Sequence, residues 1–312
     1  MQTSNIQASG TTDLFHKYLE KKFLENLEPN LVFWKFGKWP VSQKGYSHVQ
    51  WARMSKSTAG ASASQITEWT TPAFTDLTIS TVSVACEQYG QVAKITDILE
   101  DTTLLNVVGQ AMVELAHNAS RIIDEVVQTN LSTNGTNVIY AGTATSRATI
   151  AATDTMTTTL INKARAFLST KGAKPFAGGY VAIMHPDISF DMREQVGWNA
   201  WVEVKKYTDL VKDIVAGEIG TLMGVRVIES SFVKTFTSTV TVFPTYVFGE
   251  GAYGTSQLQA YETTFISRNA KDSYNPLGLY SIVGWKCAVA SIILQQDALV
   301  RIESASTLSY TW

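Results

Sequence analysis

Residues 247–254 read VFGEGAYG, in which Gly249, Gly251 and Gly254 form the G-x-G-x-x-G spacing of a dinucleotide cradle. In that chemistry the glycines let the backbone turn tightly and approach a pyrophosphate, whose charge rests on the amino end of a helix opening within the motif. The next residues, Thr255 to Arg268 (TSQLQAYETTFISR), carry no apolar stripe at helical spacing and are rich in Thr and Ser, so they predict strand or loop. The acid expected roughly twenty residues on to hold a ribose would be Asp272, inside the loop-like NAKDSYNP. A dinucleotide domain also opens with its glycine turn and needs several strand–helix units after it, whereas this motif stands close to the carboxyl end. The spacing therefore predicts glycines at a sharp strand end. A nucleotide-binding oxidoreductase survives as an alternative only on the match itself.

The second place where residue types suggest chemistry is His185-Pro186-Asp187, closing an apolar strand where α/β enzymes set catalytic groups. The same triplet starts a helix, with Asp187 as amino cap, and that reading is adopted. The four histidines, His16, His48, His117 and His185, are far apart and never at metal-ligand spacing. KGYSH and KGAKP lack the frame of a phosphate-binding P-loop, and no G-x-S-x-G elbow occurs. The carboxylates Glu100, Asp101, Glu114 and Glu125 sit in helical settings without histidine or cysteine neighbours. No catalytic, cofactor-binding or metal-binding residue is assigned, and a non-enzymatic protein is expected.

Composition points the same way. The chain has 312 residues, 45% hydrophobic and 17% charged, below the roughly 25% charged residues of ordinary soluble domains. That suits a surface buried against neighbours. Lys plus Arg is 25 against 27 Asp plus Glu, a net charge of -2, so no strong electrostatic grip on nucleic acid is expected. Cys86 and Cys287 are the only cysteines, which excludes a disulfide framework and a cysteine zinc cluster. The start MQTSNIQASGTTDLF has no basic stretch leading into an apolar run, and no segment approaches the roughly eighteen apolar residues of a membrane span. A soluble cytosolic product with no membrane contact is expected.

The elements that must carry these residues read as an α+β pattern without strict strand–helix alternation. A polar arm, residues 1–12, precedes an amphipathic helix in which Leu14, Phe15, Tyr18, Leu19, Phe23 and Leu27 recur at helical spacing, with Asp13 as cap and Pro29 as stop. Extended chain follows. YSHVQWARM (Tyr46 to Met54) and LTISTVSVACEQYGQVAKI (Leu77 to Ile95) alternate on either side of the small, polar SKSTAGASASQ (Ser55 to Gln65), which predicts a protruding hairpin. Trp51 and Trp69, two of eight tryptophans, lie on its two sides. Asp101 to Ser132 carries Leu104, Val108, Met112, Leu115, Ala119, Ile122, Val126 and Val127 along one stripe, a spine helix about 45 Å long. The polar run Asn134 to Asp154 reads as a boundary. Helices over Met156–Gly172 and Asp187–Glu194 follow, with strands over Gly179–Pro186, Met223–Ser230, Ser238–Gly249, Leu279–Leu294 and Ala298–Ser304.

This order, together with ITEWTTPAFTDLTISTVSVACEQYGQVAKITD (Ile66 to Asp97), YVAIMHPDI (Tyr180 to Ile188), GEIGTLMGVRVIES (Gly217 to Ser230), GEGAYG (Gly249 to Gly254) and YSIVGWKC (Tyr280 to Cys287), resembles the major capsid proteins of tailed bacteriophages, in the group related to the N-four coat protein. The resemblance implies the Hong-Kong-97-type capsid fold. Its parts would be an amino-terminal arm and short helix (1–45), an extended-loop hairpin (46–79), a peripheral domain with the spine helix (80–151), an axial domain (152–275) and a return strand to the peripheral domain (276–312). It implies self-assembly into pentamers and hexamers that form an icosahedral shell around double-stranded DNA bound without sequence specificity. Scaffolding, portal and decoration proteins would be partners, with any scaffold a separate protein. The product would be assembled in the host cytoplasm and end in the virion. Intersubunit contacts are expected at Trp51, Arg53, Glu68 and Trp69, with no cofactor. An encapsulin-like shell enclosing an enzyme would use the same fold and is the nearer alternative.

Overall fold

The computed structural model describes residues 8–40, 48–54, 68–69, 79–195, 218–270 and 275–308. Among them the chain forms five α-helices and twelve strands. Helix α1 spans Ala8–Asn30 and buries Leu19, Phe23 and Leu27, one residue per turn on one face. It begins at Ala8 rather than at Asp13, because once a packed face has nucleated a helix, each further residue costs little. Strands β1 (His48–Met54) and β2 (Ile79–Ala85) pair antiparallel from His48↔Ala85 to Met54↔Ile79. The hairpin tip Ser55–Gln65 and Asp272 lie outside the described residues.

Two expected elements are divided in the structure. The single strand read over Leu77–Ile95 breaks at Cys86 into β2, paired with β1, and β3 (Glu87–Thr96), which belongs to another sheet. The covered residues are Val82, Val84 and Cys86 before the break and Tyr89, Ala93 and Ile95 after it, so the phase of the alternation shifts where the strand changes sheets. The spine helix read from Asp101 is α2 (Asp97–Thr102) followed by α3 (Val107–Asn134). Asn106 decides the break: its side chain accepts from Gly109 N–H at 2.9 Å, capping α3. At 28 residues α3 is about 42 Å long. It buries Val108, Met112, Leu115, Ala119, Ile123, Val127 and Leu131 at helical spacing, whereas Leu104 of the expected stripe lies in the linker and is fully exposed.

The remaining elements are β4 (Val138–Tyr140), α4 (Thr158–Thr170), β5 (Tyr180–Met184), α5 (Pro186–Arg193), β6 (Glu218–Leu222), β7 (Val225–Glu229), β8 (Phe236–Thr237), β9 (Thr241–Phe248), β10 (Tyr253–Ile266), β11 (Tyr280–Ile293) and β12 (Leu299–Ser304). β10, β11 and β3 form an antiparallel sheet in that order, packed under α1 and α3. The larger sheet runs β4-β12-β9-β5-β7-β6, with β8 added to β9. Its β4–β12 and β5–β7 pairs are parallel, and α4 packs on β12 and β9. The two strands expected in the return segment 276–312 serve different sheets: β11 joins the three-stranded sheet and β12 the larger one. β10, inside the span read as axial, also lies in the three-stranded sheet.

One apolar core runs from Leu19 of α1 through α3 to Ile302 of β12. Two buried polar side chains beside it, Gln128 and Glu303, find partners distant in the chain. Gln128 of α3 receives Lys234 N–H at 2.8 Å and donates to Phe232 O at 3.0 Å. Glu303, completely buried, receives Arg147 at 2.6 Å and Arg301 at 2.8 Å, and Arg301 also donates to Ser132 O at 2.6 Å. That chain of charges ties β12 to the carboxyl end of α3.

Candidate functional site

The glycine motif is a tight turn that carries the chain from one sheet to the other. Gly249 follows β9, Gly251 turns the chain with φ 74°, and a strand, not a helix, comes next: β10. A Cβ at Gly249 would meet Lys174 O at 2.5 Å, and one at Gly254 would meet Trp51 Cε2 at 2.7 Å. Close packing within the chain thus accounts for Gly249 and Gly254 and the left-handed turn for Gly251, and no helix terminus stands where a pyrophosphate would need it.

The His185 triplet is a helix start, with a correction to the cap. His185 itself occupies the cap position, its Nδ1 accepting from Asp187 N–H at 3.3 Å, and Pro186 takes the first helical position. The Asp187 carboxylate lies 3.4 Å from His185 Nδ1, and burial pushes the imidazole below its ordinary value. The ring packs on Phe243 with centroids 5.1 Å apart. Among the described residues no three His, Cys, Asp or Glu side chains converge on a metal-sized site. Asp101 pairs with Arg268 at 2.8 Å and Glu125 with Lys234 at 2.8 Å. No helix of the described residues is long and apolar enough to cross a membrane.

What the structure builds instead is a projecting ribbon on a fixed base. Trp51 of β1 is buried, its indole Nε1 donating to Lys38 O at 3.2 Å, and Val49 and Leu294 pack beside it. Arg53 donates to Leu294 O at 3.2 Å. Lys38 is itself bound to β10, through Lys38 N–H to Tyr253 O at 2.9 Å and Thr255 N–H to Lys38 O at 3.2 Å. Beyond this base the ribbon loses cover: Ala52 and Arg53 are exposed, as are Ile79, Ser80 and Thr81 opposite. Glu68 and Trp69 are exposed, Trp69 to 98%, with its backbone at φ 67°. Of the four residues expected at contacts, Trp51 and Arg53 both lie on β1 and bond to the body through Lys38 O and Leu294 O, while Glu68 and Trp69 are exposed. A groove of about 470 Å³ opens between the ribbon base, α3 and β11, lined by Val84, Tyr89, Ile122, Val126 and Val289 among others.

Sequence reasoning missed the role of Gly254 as the seat of Trp51, since the two are two hundred positions apart in the chain and only pairing of β10 beside Lys38 brings them together.

The profile of the phage capsid protein family matches residues 80–302. The chain belongs to the phage capsid protein family. Solved structures share its architecture. The capsid of Ralstonia phage GP4 superposes with a TM-score of 0.69 at 14% identity, covering 91% of this chain and 93% of that one. The capsid of cyanophage P-SCSP1u gives 0.63 at 13% identity, covering 89% of each chain. The virus-like particle from Pyrococcus furiosus gives 0.55 at 12% identity over 92% and 99%. At these identities the likeness is one of fold. A search of curated proteins by sequence finds no match. The protein is thus a major capsid protein of the α+β class found in tailed-phage shells, a structural component of the virion. Neither the enzyme-enclosing shell nor the oxidoreductase is favoured once the family match and the strand that follows the glycine turn are taken together.

Proposed function

We propose that copies of this capsid protein form pentamers and hexamers that close an icosahedral shell around double-stranded DNA, with the hairpin of residues 46–79 lying on the neighbouring subunit. The reading rests on one observation above the rest: a two-stranded ribbon, anchored at its base by Trp51, that is uncovered toward its far end. A free two-stranded ribbon is marginal in water, and a bulky aromatic as exposed as Trp69 is a costly surface unless another chain covers it. In this assignment the three-stranded sheet with α1 and α3 is the peripheral domain and the larger sheet the axial domain. Glu68 and Trp69 make the intersubunit contacts, while Trp51 and Arg53 hold the hairpin in position to make them. Many copies of each weak contact add up in a closed symmetric shell. A net charge of -2 suits a container that encloses DNA without gripping its phosphates. The chain contributes the shell and no catalysis, assembly proceeds in the host cytoplasm, and scaffolding, portal and decoration proteins are its partners.

Light scattering and negative-stain microscopy of the protein expressed alone test this reading. Closed shells or capsomer rings are expected. A subunit that stays monomeric alone and also beside the phage's own scaffolding and portal proteins would overturn it.

A further inference from the structure

The groove between the ribbon base, α3 and β11 has an apolar floor and an acidic rim. Val84 of β2, Tyr89 of β3 and Val289 of β11 line the floor. Along one wall α3 supplies Ile122, Val126, Thr129 and Thr133, which recur about once per turn. From Ile122 to Asn134 that wall is about 18 Å long. Val84, Ile122 and Val126 are only half-buried, so the chain leaves this apolar surface partly open. Hydrogen bonds fix the far end of the groove, with Asn134 donating to Asn130 at 2.7 Å and Asn130 to Ser291 Oγ of β11 at 3.2 Å. The charged side chains that line it are both acids. Glu87 is exposed at the ribbon base and accepts the Tyr89 hydroxyl at 2.7 Å. Glu125 stands on α3, where Lys234, which does not line the groove, meets it at 2.8 Å. A preformed apolar cleft of about 470 Å³ with a few placed polar groups is the usual form of a binding site.

We infer that this groove takes a short amphipathic helix of a separate protein, apolar on the face it buries and carrying lysine or arginine beside that face. The inference goes beyond the capsid reading and does not depend on it, because the groove is complete in one subunit. Two observations select the occupant. The α3 wall repeats at helical spacing, and its backbone groups are spent within the helix, so a second helix laid along it can match the period with anchors at i, i+4, i+7 and i+11. An added strand would find no backbone partners on that wall. The two acids then decide the charge, since a helix that flanks its buried face with cations sets unlike charges across the rim. A second copy of this chain fits less well. Trp69, the most exposed aromatic of the described residues, follows Glu68, and seating it here would bring a third carboxylate to a rim that already holds two.

The probe is a synthetic helical peptide of about sixteen residues, with leucine at the four anchor positions, lysines flanking the leucine face, and alanine and glutamine elsewhere. A twin carries glutamate in place of each lysine. Fluorescence anisotropy reads binding to the unassembled full chain. The lysine peptide is expected to bind at least about tenfold more tightly than its twin, a gap that narrows as salt is raised. Val126→Lys puts a cation on the groove wall and should weaken the lysine peptide at least about tenfold. Glu87→Lys changes an exposed rim residue, so folding is expected to be unaffected, and it should weaken the same peptide about threefold. Equal binding of the two peptides, or binding of the lysine peptide untouched by Glu87→Lys, would overturn the inference. A peptide of residues 60–78 of this chain that displaced the lysine peptide would give the groove to a second copy and overturn it as well. Binding is read on the single subunit, so the outcome stands apart from whether subunits close shells.

Discussion

Asp124 lies on the buried face of α3, where its carboxylate receives the Val32 N–H at 2.7 Å and the Trp34 N–H at 3.1 Å. Those two bonds seat the segment after α1, and the Tyr253 hydroxyl, donating to Phe33 O at 2.6 Å, completes the joint. Burial raises the Asp124 pKa from 3.8 to about 6, more than the backbone donors and nearby Lys35 lower it. The folded subunit therefore holds this proton between pH 4 and 6 when the unfolded chain has released it. The group's stabilising contribution is full below about pH 4 and is lost as pH rises through about 6, a fall of about 3 kcal/mol. Asp124→Asn does not titrate. In urea unfolding of the unassembled subunit, the stability difference between wild type and variant should move in the variant's favour by up to that amount from pH 4 to pH 7. A difference independent of pH would contradict the raised value. The sequence marks Asp124 only as a polar residue on an apolar stripe, and its partners lie about ninety positions away.

The ribbon formed by β1 and β2 depends on one close approach between elements. Gly254 opens β10 directly beneath the Trp51 ring, and a Cβ there would lie 2.7 Å from Cε2 and 2.9 Å from Nε1. Gly254→Ala must push the indole away, breaking its bond to Lys38 O and loosening the Arg53 contact with Leu294 O, at a cost of about 1–3 kcal/mol. The loss falls on the ribbon base and spares the sheets. Trypsin cleavage after Arg53 in the unassembled subunit is expected to accelerate about tenfold while the global melting temperature changes little, as suits a locally opened unit. A cleavage rate unchanged from wild type would show that the ring is not seated on Gly254. The stretch of β10 was legible only as strand or loop: its Thr-rich sequence lacks a helical stripe, and the structure decides for a strand whose later residues alternate exposed and covered. The break between α2 and α3 was not, since Leu104 falls in register with an apolar stripe that the Asn106 cap excludes.

At the scale of the whole molecule, the subunit is a covered core with an uncovered ribbon and an open apolar groove, and both point to function outside the single chain. Deleting Ser55 to Gln65 should leave a folded subunit, because the core lies elsewhere, yet one that fails to close shells. Electron microscopy showing normal particles from that variant would remove the hairpin from the assembly reading. The sequence by itself determined the α+β class, the amphipathic faces of α1 and α3, the position of the hairpin and the absence of any spacing that commits residues to chemistry. These follow from local periodicity and turn residues, which act over a few positions. Only the tertiary structure decided that β2 and β3 part company at Cys86, that β11 and β12 serve different sheets, and that Gly254 seats Trp51. It also decided that Asp124 holds the arm and that an apolar groove opens between the ribbon base, α3 and β11. The reason is physical: strand partners, burial and close approach join residues far apart in the chain, and alternation along a strand says which face is covered but not by what.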